Sequence, residues 1–184
     1  MQRIKAKDFI AVPNLISYFR IVMIFAFLFF YGRDIENKSI CLGSILILSG
    51  ISDVLDGYIA RKFGMVTDVG KCLDPIADKL TQFVLLLCLI KNYPMARIVL
   101  VIFLIKESVV TIAGWKVNRI LGEIECSKWY GKMSTVILYI VVIILVLFDS
   151  INIRVANGLL IGSGLALVGA FIGYMKYYKG CLKR

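Results

Sequence analysis

Ile40-Cys41-Leu42-Gly43-Ser44-Ile45-Leu46-Ile47-Leu48-Ser49-Gly50-Ile51-Ser52-Asp53-Val54-Leu55-Asp56-Gly57-Tyr58-Ile59-Ala60 is the stretch that decides how this chain folds. It is uncharged from Ile40 to Ser52, and then two aspartates follow three residues apart. A helix that crosses a bilayer needs about 20 predominantly apolar residues, and this run has that length. Helical spacing puts Asp53 and Asp56 on one face near its end. Outward from here the same kind of run recurs. The predicted spans are Asn14–Tyr31, Ile40–Ala60, Pro75–Ile90, Arg97–Val117, Gly131–Phe148 and Val155–Tyr174.

Composition agrees with a lipid environment. The 184 residues are 60% hydrophobic, with a mean hydropathy of +0.85, whereas a soluble domain is roughly half apolar. The expected fold is an all-α integral membrane protein with six transmembrane helices. It forms one domain over residues 1–184, opening with a short basic segment, 1–12. The connections are too short for a separate soluble domain. No cleavable signal peptide is evident, because the first apolar run lacks a small-residue cleavage site. The spacings Gly158/Gly162 and Gly169/Gly173 suit close helix contact.

The net charge is +10. Its distribution excludes nucleic acid as a partner, since the charges sit at the ends of apolar runs and form no stripe. Of the 22 Lys and Arg, fifteen fall on the side that holds both termini and five on the other. The positive-inside rule then makes both termini cytoplasmic. The connection between the second and third spans is cytoplasmic as well. There is no histidine, which excludes a Ser-His-Asp triad, a His-ligated zinc site and a histidine phospho-enzyme. Cys41, Cys72, Cys88, Cys126 and Cys181 show no metal spacing and read as apolar packing residues.

The chemistry concentrates in that cytoplasmic connection. Asp53 and Asp56 are followed, after a loop, by Gly70-Lys71-Cys72-Leu73-Asp74-Pro75-Ile76-Ala77-Asp78-Lys79. Asp74 and Asp78 share a helical face. Asp74 before Pro75 also reads as a helix start, since Asp caps and Pro suits the first turn. Two antiparallel helices bring both pairs together. Four carboxylates at the hydrocarbon boundary are costly unless paired or metal-bound. Oxygen-only ligands suit Mg²⁺, Mn²⁺ or Ca²⁺ and disfavour zinc, and two such ions can clamp a phosphoryl group. The plainer account is ion pairing with Arg61, Lys71 and Lys79. Two pairs in helical register, with small residues between them, favour the metal. A cation transporter would place carboxylates near the bilayer midplane, and these lie at helix ends. A non-catalytic scaffold would not need so complete a set.

The string D-x-x-D-G-x-x-A-R-x(8)-G-x-x-x-D-x-x-x-D is filled at all eight fixed positions, by Asp53, Asp56, Gly57, Ala60, Arg61, Gly70, Asp74 and Asp78. It resembles the signature of CDP-alcohol phosphatidyltransferases. The resemblance implies a metal-dependent transfer of a phosphatidyl group from CDP-diacylglycerol to a small alcohol, with release of CMP. It implies two Mg²⁺ or Mn²⁺ ions on Asp53, Asp56, Asp74 and Asp78, with Asp78 also the catalytic base. Gly57, Arg61 and Thr67 would contact the CDP-lipid. The implied assembly is a homodimer among membrane lipids, in a bacterial plasma membrane, with its active site facing the cytoplasm.

Two further stretches resemble the family. Pro13-Asn14-Leu15-Ile16-Ser17-Tyr18-Phe19-Arg20 matches its P-N-x-x-[ST]-x-x-R opening, which makes Asn14 and Ser17 nucleotide contacts. Arg20, about two turns into a span, is either functional or snorkels to the interface. Lys128-Trp129-Tyr130-Gly131-Lys132-Met133-Ser134-Thr135 resembles the G-K-x-x-T stretch of phosphatidylglycerophosphate synthases. Glycerol 3-phosphate is therefore the expected acceptor, with Lys106, Lys116 and Lys132 around it. An internal Lys106–Glu107 ion pair is the plainer account of Lys106. An arginine expected near Ala113-Gly114-Trp115-Lys116 is missing, which leaves phosphatidylglycerol, inositol, inositol phosphate and serine as other acceptors.

Overall fold

The computed structural model describes residues 12–63, 68–121, 129–148 and 150–181. These residues form six α-helices: α1 (Val12–Tyr31), α2 (Lys38–Lys62), α3 (Asp68–Leu89), α4 (Ala96–Leu121), α5 (Trp129–Leu147) and α6 (Ile153–Cys181). All but α3 are long and apolar enough to cross a membrane. The first half of α3 carries Asp68, Lys71, Asp74, Asp78 and Lys79, which lowers its hydropathy.

The sequence places the start of α3 at Asp74-Pro75, and the structure corrects this. The helix begins at Asp68 and Pro75 lies inside it. A proline removes one backbone donor and crowds one carbonyl, and helices in lipid absorb that through their neighbours. Asp74 and Asp78 consequently sit well within a continuous helix.

The chain groups into two compact units. The first holds α1, α2, α3 up to Cys88, and Val146–Asp149. Its packing is inverted relative to a soluble bundle. On α1 the buried row is Asn14, Ser17, Arg20, Ile24 and Phe27, while Phe19, Val22, Phe25 and Phe29 are exposed. Water would favour the opposite arrangement. Hydrocarbon favours this one, because polar side chains then face protein. The α1 helix packs against α2, and Tyr31 at its end donates to the Cys88 carbonyl on α3. Asn37 opens α2 with φ 57°, a left-handed conformation that Asn tolerates. Deeper in the unit, Phe27, Leu46 and Leu85 help to line a cavity of about 10 Å³ shared by the three helices.

The second unit holds Leu89–Leu145 and Ser150–Arg184. In it α4 packs against α6, and aromatic rings fill one end. Tyr130 meets Tyr174 edge-on at 5.0 Å, and Tyr174 stacks on Tyr178 at 5.9 Å. Glycines make room for the rings: a Cβ at Gly173 would lie 3.0 Å from Tyr130, and one at Gly131 would lie 2.7 Å from Tyr174 Cε2. Of the four glycines expected at helix contacts, only Gly173 has such a neighbour. A Cβ at Gly158, Gly162 or Gly169 would meet nothing within 4 Å among the described residues of this chain. Small-residue spacing allows close contact but does not say which face meets a partner.

Gly131→Ala is expected to destabilise the protein by about 1–3 kcal/mol, the usual range for an added methyl in a packed site. The measurement is the thermal midpoint in detergent. An unchanged midpoint would show that the Tyr174 ring swings aside at no cost.

Hydroxyls within the helices are largely spent on their own backbone. Ser44 donates to the Ile40 carbonyl, Thr81 to Ala77, Ser134 to Gly131 and Ser163 to Leu160, each at 2.8 Å. This i−3 or i−4 bonding gives each of these four hydroxyls an acceptor within its own helix.

Candidate active site

Three helices of the first unit build the site. At the Val12 end of α1, Asn14, Ser17 and Arg20 recur every three residues on the inward face. Asn14 and Ser17 are 0% exposed and Arg20 is 2% exposed. Near its C-terminal end α2 presents Asp53, and α3 presents Asp74 and Asp78 one helical turn apart. The three carboxylates converge on α1. Arg20 Nη2 lies 2.7 Å from Asp53 Oδ1, and Arg20 Nη1 pairs with Asp78 Oδ1. Ser17 Oγ donates to Asp74 Oδ1.

A guanidinium is a permanent cation, and burying one is unfavourable without ionised, hydrogen-bonded partners. Arg20 has two, from different helices. It does not snorkel, which settles the question the sequence left open. Both aspartate side chains remain 47% exposed. The arginine therefore closes the site from behind and leaves the carboxylates open in front.

Asp56, Gly57, Ala60 and Arg61 continue α2, which runs to Lys62, but their side chains lie outside the described residues. So does Thr67 altogether. Gly70 is buried on α3. The acceptor-side lysines belong to the second unit. There Lys106, 3% exposed, pairs with Glu107 at 2.6 Å, the plainer account of that residue. Lys116 and Lys132 are exposed.

The donor chemistry suits a hard divalent cation. Asp53, Asp74 and Asp78 offer only oxygen, which matches Mg²⁺ or Mn²⁺. Asp53 and Asp78 keep open surface for a further partner. Asp56 follows one turn along α2 from Asp53 with its side chain outside the described residues, and among the described residues no three acidic side chains are grouped to hold an ion. Sequence reasoning did not assign Arg20 to the site, although its place in the Asn14–Ser17–Arg20 step was the available signal.

A protein of Rickettsia felis named CDP-diacylglycerol–glycerol-3-phosphate 3-phosphatidyltransferase is 28% identical over 181 residues, covering 94% of this chain and 96% of that protein. A Bacillus subtilis protein of the same name is 34% identical over 136 residues, 67% of this chain and 70% of that one. A Rickettsia typhi protein, again of that name, is 37% identical over 103 residues; the match spans 54% of this chain and 56% of that protein's length. The sequence pattern of CDP-alcohol phosphatidyltransferases matches residues 10–173, a stretch that contains the whole α1–α3 site, and the chain belongs to the CDP-alcohol phosphatidyltransferase family.

Proposed function

We propose that this chain transfers the phosphatidyl group of CDP-diacylglycerol to glycerol 3-phosphate and releases CMP. The observation that carries the reading is the convergence of Asp53, Asp74 and Asp78 on one row of α1. The names of the relatives support the donor and the acceptor.

In this reading the chain crosses the membrane six times, with α3 as the third span and both termini cytoplasmic. The CDP-lipid enters from the cytoplasmic leaflet. Two Mg²⁺ or Mn²⁺ ions on Asp53, Asp56, Asp74 and Asp78 supply, when bound, charge neutralisation at the pyrophosphate. Asp78 accepts the proton of the acceptor hydroxyl. The hydroxyl oxygen bonds to the lipid-bearing phosphorus, the bond from that phosphorus to the CMP oxygen breaks, and CMP leaves with that electron pair. Arg61 steadies its phosphate, and Asn14, Ser17, Gly57 and Thr67 contact the nucleotide. A homodimer is the proposed assembly.

The test is CMP release by purified protein given CDP-diacylglycerol with glycerol 3-phosphate, phosphatidylglycerol, inositol, inositol phosphate or serine. Release with glycerol 3-phosphate alone is expected. Release only with another alcohol would reassign the acceptor, and no release with any of them would overturn the reading.

A phosphorylated acceptor carries about two negative charges at neutral pH and needs a cationic counter-surface. Lys116→Ala and Lys132→Ala are each expected to raise KM for glycerol 3-phosphate about tenfold, the loss of one charge-assisted contact. KM for CDP-diacylglycerol stays within twofold. An unchanged acceptor KM in both variants would remove these lysines from the acceptor site.

A further inference from the structure

The mechanism uses the aspartates, gives Arg20 no part and gives Ser17 only a nucleotide contact. Yet α1 touches three of the four carboxylates. The Arg20 fork spans Asp53 on α2 and Asp78 on α3, and Ser17, one turn earlier, donates to Asp74. Both residues are almost fully buried, so neither owes its place to solvent. Neither contact is local, since the bonds to α3 link residues 57 or 58 positions apart.

We propose that Arg20 and Ser17 are positioning residues: α1 sets the spacing of Asp53, Asp74 and Asp78, and the Arg20 fork holds Asp53 against Asp78. The inference rests on the reading of these aspartates as a divalent-cation site. Carboxylates that share a site repel one another and would splay apart without a cation between them. A guanidinium does more than offset charge. Its planar N–H groups hold two oxygens at a separation fixed by covalent geometry, whereas a lysine ammonium is a point charge on a flexible stem. Side chains that hold metal ligands from behind commonly set metal affinity by about 10–100-fold. The half-open faces of Asp53 and Asp78 are what such a holder leaves for the ion.

Arg20→Lys separates geometry from charge, because the positive charge stays and the fork goes. The experiment titrates Mn²⁺ alone into purified protein and follows the free-ion electron paramagnetic resonance signal, with no lipid present. Arg20→Lys is expected to weaken Mn²⁺ binding about tenfold or more. Ser17→Ala, which removes one hydrogen bond to a carboxylate and little volume, is expected to weaken it about tenfold. It also serves if the lysine variant does not fold. The thermal midpoint in EDTA is read beside each. A merely structural role would lower that midpoint and leave Mn²⁺ affinity within twofold of the parent, and this result overturns the inference. In the transfer assay, the Arg20→Lys deficit should shrink as Mn²⁺ is raised to saturation. If the parent protein binds no Mn²⁺, the cation-site reading and the inference fall together. If the variants lose Mn²⁺ affinity but the parent releases CMP with no alcohol, the inference stands and the transferase reading falls.

Discussion

Excess EDTA is expected to bring CMP release to background, and added Mg²⁺ or Mn²⁺ to restore it. Asp53, Asp74 and Asp78 converge on one row of α1, where Arg20 pairs with Asp53 and Asp78 and Ser17 donates to Asp74. A CDP-lipid brings an anionic pyrophosphate to that row. Two like charges about 4 Å apart repel by about 4 kcal/mol at the effective dielectric of a protein surface. One such unrelieved contact corresponds to roughly a thousandfold in binding, and several would form here. Arg20 cannot relieve them, because it sits behind the carboxylates and is already shared by two. CMP release that persists in excess chelator would overturn the metal-dependent mechanism and leave the aspartates as partners of the basic residues alone.

Asp78→Asn is expected to lower kcat by about 10²–10⁴-fold, the usual contribution of a general base. Affinity for CDP-diacylglycerol should change much less. The substitution keeps the shape of the side chain and leaves Asp53, Asp56 and Asp74 in place. Arg20 also keeps its contact with Asp53, so the variant does not strand a buried charge. The informative comparison is kcat against KM for the CDP-lipid. A near-normal kcat would move the base elsewhere. A large rise in KM with kcat intact would make Asp78 a binding group.

Much of this architecture is local in origin and can be read from the order of the residues. Apolar runs of spanning length mark five of the helices, with ends within a few residues of those expected, except that α6 runs on to Cys181. The start of α3 is the exception, because Asp-Pro is a strong local signal for a helix beginning. Continuity across Pro75 depends on the surrounding helices, which no dipeptide reports. The glycine spacings are less specific for a related reason, since Gly158, Gly162 and Gly169 carry the same small-residue signal as Gly173 but face no described residue of this chain.

By itself the sequence determined that the chain is helical and apolar enough for a bilayer, and that its carboxylates come in two pairs in helical register. It also carried the eight-position pattern by which the family is recognised. Run length, period and spacing are properties of adjacent residues, so a linear reading suffices. Only the tertiary structure decided where the polar residues of α1 go. Arg20 could have reached for the interface. Instead it is buried between Asp53 and Asp78, with Ser17 on Asp74. That choice depends on which face of α1 meets α2 and α3. It is set by burying Ile24 and Phe27 while turning Phe19, Val22 and Phe25 outward. Once that face is chosen, a permanent charge on it must find its counter-ions inside the protein, and the aspartates of the other two helices are the ones it meets.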